Sequence, residues 1–304
     1  MTMRVPNLMN NAQSMLDLQR IKQQYSVTVQ QLTTGKSIIN LGDDPTGSSQ
    51  IMNYQASVDL NTQYISMADT ASGQMQNTST VLTSITSDLN RVMDLANQGL
   101  STSNTGQAAE ASEVDSLRTG LIALGNTQIG GVYLFAGTKT TTQPFVDNPA
   151  TTPASVTYNG NSGLTKLNVG ASTTVTTNIP GDSLYFGPGG QGSATDMLAQ
   201  VTAVRDALTS GNTAALQTAY TNLKAISTRL GVATTDMGGR ENGVTALQTG
   251  LSAFNATLQA QQTTLQSVDY PTAITQLNAE SLAQQASLSA MAKANTKSLF
   301  DYIG

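Results

Sequence analysis

Leu32-Thr-Thr-Gly-Lys-Ser-Ile-Ile-Asn-Leu-Gly-Asp-Asp-Pro-Thr-Gly-Ser-Ser-Gln50 is where the chain passes from one long helical pattern to another. Gly35 closes the first pattern, because glycine takes the positive φ that a helix C′ position demands. Ser37 to Asn40 reads as an extended connector. Asp43 and Asp44 then stand before Pro45. A carboxylate accepts bonds from orphan N–H groups, and proline at the first helical position gives up an N–H that had no partner. The stretch is a sharp joint between two helices, and the rest of the chain is read outward from it.

Upstream, Leu18, Ile21, Tyr25, Thr28 and Leu32 follow the four-three spacing of a heptad seam. Downstream, Pro45 to about Gly99 keeps one broad apolar face through Ile51, Tyr54, Val58, Ile65, Ala68, Met75, Leu82, Ile85, Leu89 and Val92. Ser101 to Gly106 is a turn cluster, and Ala108 to Leu124 forms a third helix through Val114, Leu117 and Leu121. From Gly130 to Gly190 short β-branched or aromatic runs bounded by Gly, Pro and Asn predict a small β domain. Those runs are Val132 to Phe135, Val156 to Tyr158, Leu164 to Val169, Thr173 to Thr177 and Leu184 to Phe186. Helical pattern resumes near Ala194, with breaks expected at Gly211 and Gly238-Gly239. A last seam runs through Leu247, Leu251, Phe254, Leu258, Leu265 and Val268, stops at Tyr270-Pro271, and restarts in a shifted register as Ile274, Leu277, Leu288 and Met291.

The halves mirror each other about the insert, with Asp44-Pro45 and Tyr270-Pro271 at the two breaks. The fold class is therefore mainly α with an inserted small β domain, the N- and C-terminal helices pairing as a coiled coil followed by a long helical-bundle rod. Three layers follow: 1–42 with 271–304, 43–130 with 194–270, and 131–193. Between Ala246 and Ala292 the only charged residues are Asp269 and Glu280. Solvated seams normally carry Glu and Lys alongside, so the outer face is expected to be covered by other subunits; a helix solvated by Gln, Ser and Thr is the alternative.

Composition narrows the chemistry. Charged residues are 11% of the 304, the net charge is −5 and no basic stripe occurs, which argues against nucleic acid as a partner. The absence of Cys and His removes thiolate ligands, disulfides, and the commonest general base and metal ligand. No apolar run has the length of a membrane span or the core of a cleavable signal peptide. Asp43 and Asp44 could hold a hard cation only with further oxygen ligands, whereas a cap and turn pair accounts for them fully. Gly187, Gly189 and Gly192 match a dinucleotide-loop spacing, but outside any βαβ unit, and read as a flexible exit from the insert. Lys36 lacks the context of a phosphate loop, and Met67, Met75 and Met93 read as gap-filling core. No catalytic, metal-binding or cofactor-binding set emerges.

Leu32 to Gly47 resembles the N-terminal signature of bacterial flagellins and their relatives: a Thr-Gly-Lys, a short apolar stretch, then Asp-Asp-Pro, with Gly42 where the family often has Ser. Gly131-Val-Tyr-Leu-Phe-Ala-Gly-Thr-Lys-Thr-Thr-Thr-Gln-Pro-Phe145 and Ser298-Leu-Phe-Asp-Tyr-Ile303 resemble the branch of that family at the hook–filament junction more than flagellin itself. The likeness covers roughly residues 3 to 145 and 240 to 304. It implies an extracellular, non-enzymatic subunit of the bacterial flagellum, an adaptor joining the hook-side junction protein (hook-associated protein 1) to the flagellin filament. It also implies a ring of copies of this chain and export without a cleavable signal through the flagellar type III apparatus, helped by a chaperone. The assembly surface is then expected at Leu18, Ile21, Tyr25 and Leu32 with Leu277, Leu288, Met291, Leu299, Phe300 and Ile303. The hinge and cap positions are Gly35, Asp43, Asp44, Pro45 and Pro271. A short flagellin that builds the filament itself and a secreted helical adhesin with a stable monomeric coiled coil both stay open.

Overall fold

The computed structural model describes residues 4–101, 107–148, 150 and 155–300, and the side chains of these except 4–8, 10, 11 and 294–300. In chain order the elements are α1 (Arg4–Thr34), α2 (Pro45–Gly99), α3 (Gln107–Gly125), β1 (Gln128–Ile129), β2 (Val132–Tyr133), β3 (Phe145–Asn148), β4 (Ser155–Tyr158), β5 (Lys166–Asn168), β6 (Thr174–Thr176), a π-helical turn (Asp182–Phe186), α4 (Met197–Ser210), α5 (Thr213–Gln266) and α6 (Tyr270–Phe300). The protein is mainly helical with a small inserted β region. The turn cluster expected at Ser101 to Gly106 lies, past its first residue, outside the described residues.

The chain divides into two compact units, Met1–Leu60 with Phe254–Gly304 and Asn61–Ala253. In the first unit α1 packs along α6. Their pairing is antiparallel in sense, because residues just after α1 bond to residues just before α6. Among the described residues the buried apolar side chains of this unit are Leu18, Val58, Leu258 and Ala273, a small set for a region of this length. Phe254, expected in the last seam, is half exposed here.

The second unit holds the hydrophobic core. The face of α2 anticipated from its spacing is buried from Ala68 to Val92, in one apolar cluster with Leu223, Ile226, Leu230, Met237 and Val244 of α5. Met75 is buried and Met93 packs against this core, whereas Met67 points outward. The β region is three separate two-stranded antiparallel sheets, β1–β2, β3–β4 and β5–β6. Phe145 to Asn148, which did not read as a strand, pairs with β4 in the register Phe145 to Tyr158.

Two expectations are corrected. Leu184, Tyr185 and Phe186 form a turn of π-helix rather than a strand. They sit in an aromatic cluster, with the Phe145 and Tyr185 ring centroids 4.4 Å apart, and the Tyr185 hydroxyl donates to the Leu121 carbonyl at 2.8 Å. That packing overrides their β propensity, and burial pushes the Tyr185 phenol up, keeping it neutral as a donor. The second correction is in α5, which runs unbroken through Gly238-Gly239. Two glycines cost a helix about 2 kcal/mol together, and the burial of Met237 and Val244 on either side offsets this.

Arg118 is a buried charge of this unit. Its guanidinium meets the Asp147 carboxylate in a bidentate pair at 2.5 and 3.1 Å, and its Nε donates to Thr202 Oγ1 at 3.1 Å. This fastens β3 to α3 and α4.

Candidate functional site

The joint between α1 and α2 is built as its residue types dictate. Gly35 has φ of +71°, and a Cβ there would stand 3.1 Å from the Tyr270 hydroxyl. The Asp44 carboxylate accepts from the N–H groups of Thr46 and Gly47, each at 3.0 Å, capping α2 with Pro45 in its first turn. The Asp43 carboxylate turns the other way and accepts from Asn40 and Ile39 at 2.8 and 3.0 Å. Those backbone bonds, that to Asn40 first, hold its carboxyl below the usual value. Both acids are thus committed to backbone N–H groups. Among the described residues no group of three or more acidic, His or Cys side chains could hold a metal ion.

The connector is stitched to the break before α6. Ser37 N donates to the Gln266 carbonyl at 2.7 Å and Val268 N to the Gly35 carbonyl at 3.0 Å, so that Lys36 and Ser267 form an antiparallel bridge. Gln31 Nε2 adds a bond to the Ser37 carbonyl at 2.9 Å. Pro271 is exposed in the first turn of α6.

From this joint the α1–α6 pair extends. Leu18 is buried in it, and Ile21, Tyr25, Leu32, Leu277 and Met291 are half-buried. Leu288 is 48% exposed. The side chains of Leu299 and Phe300, and all of Ile303, lie outside the described residues. On α6 the inward seam is Ala273, Leu277, Glu280, Gln284, Ser287 and Met291, with Ser281 and Ala283 half-buried beside it. The seam read as Ile274, Leu277, Leu288 and Met291 is therefore turned partly outward: Ile274 and Leu288 are exposed while a carboxylate, an amide and a hydroxyl face in.

Sequence reasoning missed the uncovered apolar side chains away from the seam. Met15 and Leu16 of α1 and Leu282 of α6 are exposed, Leu282 at 68%. In a heptad frame with Leu18 and Leu277 at position a, they occupy e and f. The signal that could have found them is a large apolar residue at e or f, off the seam, where a solvated helix carries polar side chains.

The second unit carries a cleft of about 510 Å³ between β4 and α4, lined by Val156, Leu198, Ala203, Asp196 and Asp206 among others. Asp196 is spent on capping α4, accepting from Leu198 and Ala199 at 3.0 and 3.1 Å, and Asp206 pairs with Arg205 at 2.7 Å. Both acids are thus taken up by structural contacts. The run Gly187, Gly189, Gly192 follows the π-helical turn, not a strand.

A chain whose two ends pair with each other and enclose an inserted β region has the organisation of a flagellin-class subunit. The bacterial flagellin N-terminal helical region matches residues 5–140 and the flagellin C-terminal helical region matches residues 213–303, and the chain belongs to the flagellin family. It is similar to the flagellar hook-associated protein 3 of Escherichia coli strain K12, 27% identical over 211 residues, 66% of this chain and 64% of the relative. That match spans just under two thirds of the relative's own length. Among solved structures, a Vibrio parahaemolyticus protein assigned as a flagellar hook-associated protein aligns with TM-score 0.66 at 24% identity, over 73% of this chain and 99% of that one. Hook-associated protein-3 from Legionella pneumophila aligns with TM-score 0.62 at 14% identity, over 71% and 98%. At these identities the structural likeness establishes the fold. Among the described residues no helix is long and apolar enough to cross a membrane.

Proposed function

We propose that this chain is a non-enzymatic structural subunit of the bacterial flagellum, seated between hook and filament, where it joins the hook-side junction protein, hook-associated protein 1, to flagellin. The observation that carries this reading is the contrast between the two units. One buries a continuous core, while the other leaves Met15, Leu16, Ile274, Leu282 and Leu288 uncovered on its terminal helices. Burying such side chains against neighbouring subunits returns about 25 cal/mol per Å², which makes assembly the step that completes the fold. Family membership and the likeness to hook-associated protein 3 support the same role.

In this reading residues 1–42 with 271–304 form the inner layer, 43–130 with 194–270 the rod, and 131–193 the outward insert. Copies of the chain form a ring. The subunit reaches the cell exterior unfolded, without a cleavable signal, through the flagellar export apparatus and with a chaperone. Electron microscopy of cells lacking the protein tests this. Hooks without filaments, with flagellin shed into the medium, are expected; normal filaments would overturn it.

Because the matching profiles are those of flagellin, a short filament-building flagellin is the second reading. Immunogold label confined to a thin zone at the hook tip favours the junction role, and label along the whole filament favours the other.

A further inference from the structure

We propose that the contact between Thr28 and Glu280 is a rotational lock: it selects which of two seams α6 turns toward α1, and so holds Ile274 and Leu288 outward. α6 carries two seams. The resident one contains Ala273, Glu280 and Ser287; the other replaces these with Ile274, Ser281 and Leu288, and both share Leu277, Gln284 and Met291. Each residue of a helix advances about 100°, so a roll of roughly 50° about the axis of α6 exchanges one seam for the other.

On apolar burial alone the second seam wins, since it brings in two large aliphatic side chains and removes a carboxylate. The molecule nevertheless adopts the first. Thr28 is 2% exposed, and its hydroxyl lies 3.2 Å from both the Gln24 carbonyl and Glu280 Oε1, sharing its one hydrogen between them. Gln276 Nε2 donates to the same Glu280 oxygen at 3.0 Å. Glu280 Oε2 is buried without a protein partner, so this carboxylate is held in the seam at a cost. A polar pair inside a helical seam fixes alignment because one alignment alone brings the two groups together. Rolling α6 would swing Glu280 off Thr28 and leave that buried hydroxyl facing Ser281. The lock thereby spends apolar burial within the chain to keep Leu288 and Ile274 available outside. That last consequence rests on the function proposed above, whereas the choice of seam does not.

The chain has no cysteine, so single introduced thiols report the seam directly. Ser287→Cys and Leu288→Cys variants of the full chain are labelled with a maleimide in trimethylamine N-oxide, which favours the paired helices. With Thr28 in place, the Leu288→Cys thiol is expected to react about tenfold faster than the Ser287→Cys thiol. Adding Thr28→Val should abolish or invert that ratio with helix content by circular dichroism preserved, while Thr28→Ser should keep it. Equal rates with Thr28 present, or a ratio untouched by Thr28→Val, would overturn the lock. Should Thr28→Val unpair the helices, Ser281→Leu decides: it strengthens the second seam with the lock intact, so Leu288→Cys must remain the faster, and inversion overturns the proposal. Incorporation into flagella is scored separately, so loss of the docking role and loss of the lock give different results.

Discussion

Lys36 and Ser267 face each other across an antiparallel bridge, closed by Ser37 N on the Gln266 carbonyl and Val268 N on the Gly35 carbonyl. The break after α1 and the break before α6 are therefore one joint, and strain applied to either chain segment is transmitted to the other.

Gly35→Ala tests that coupling. The left-handed conformation costs a side-chain-bearing residue about 1–2 kcal/mol, and the new Cβ would meet the Tyr270 hydroxyl at 3.1 Å. Faster amide exchange at Val268, on the opposite segment, is expected along with a lower melting temperature. Tyr270→Phe should relieve little of this, because the backbone strain remains.

The cap on α2 gives a second test. Asp44→Ala removes the acceptor of two helix N–H groups and should cost about 1 kcal/mol in thermal or urea unfolding. Gly47→Ala should return less than the roughly 1 kcal/mol that alanine gains over glycine in a helix, since its Cβ would press on the Asp44 carboxylate and come within 2.7 Å of Ile38 Cδ1. An unchanged midpoint for Asp44→Ala would show that Asp44 is not the cap.

Acid acts on the same joint through Asp43. Its folded carboxyl lies below the ordinary value because the Asn40 and Ile39 N–H groups favour the charged form. Its contribution to stability is therefore complete above the unfolded carboxylate value and is lost as pH falls through the depressed folded value. A carboxyl-carbon NMR titration should place the Asp43 midpoint below 3.8, and a midpoint above it would contradict the turn geometry.

In the second unit, Asp147→Ala leaves the buried Arg118 guanidinium with Thr202 as its remaining bonded partner. Stranding a buried charge costs about 3–5 kcal/mol, so a large drop in melting temperature is expected. Arg118→Met with Asp147→Ala should recover most of it. Additive losses in the double variant would show that the pair is not coupled.

Much of this architecture was legible in the sequence because local chemistry carried it. Gly35, Asp44-Pro45 and Tyr270-Pro271 mark helix ends by backbone preference alone, and the spacing from Ala68 to Val92 exposes a buried face. What failed was decided by distant neighbours. Leu184 to Phe186 has strand propensity, yet Phe145 and the Leu121 carbonyl hold it as a helical turn. Gly238-Gly239 is a local helix breaker that the packing of Met237 and Val244 overrides. The proposed assembly surface was half visible. The heptad of α1 identifies Leu18, Ile21, Tyr25 and Leu32, but those side chains are largely occupied within the chain. Leu16 and Leu282 are off any seam, and only the pairing of α1 with α6 reveals them as uncovered.

The central claim is that outward apolar side chains on the terminal helices are the surface by which this subunit is built into the flagellum. The most direct measurement is immunogold electron microscopy of flagella from cells whose sole copy carries Leu282→Glu, with the secreted protein assayed in parallel. The account predicts a variant that melts like the natural chain and appears in the medium, with bare hook tips and flagellin shed beside it. Normal filaments with gold at the hook tip would contradict it.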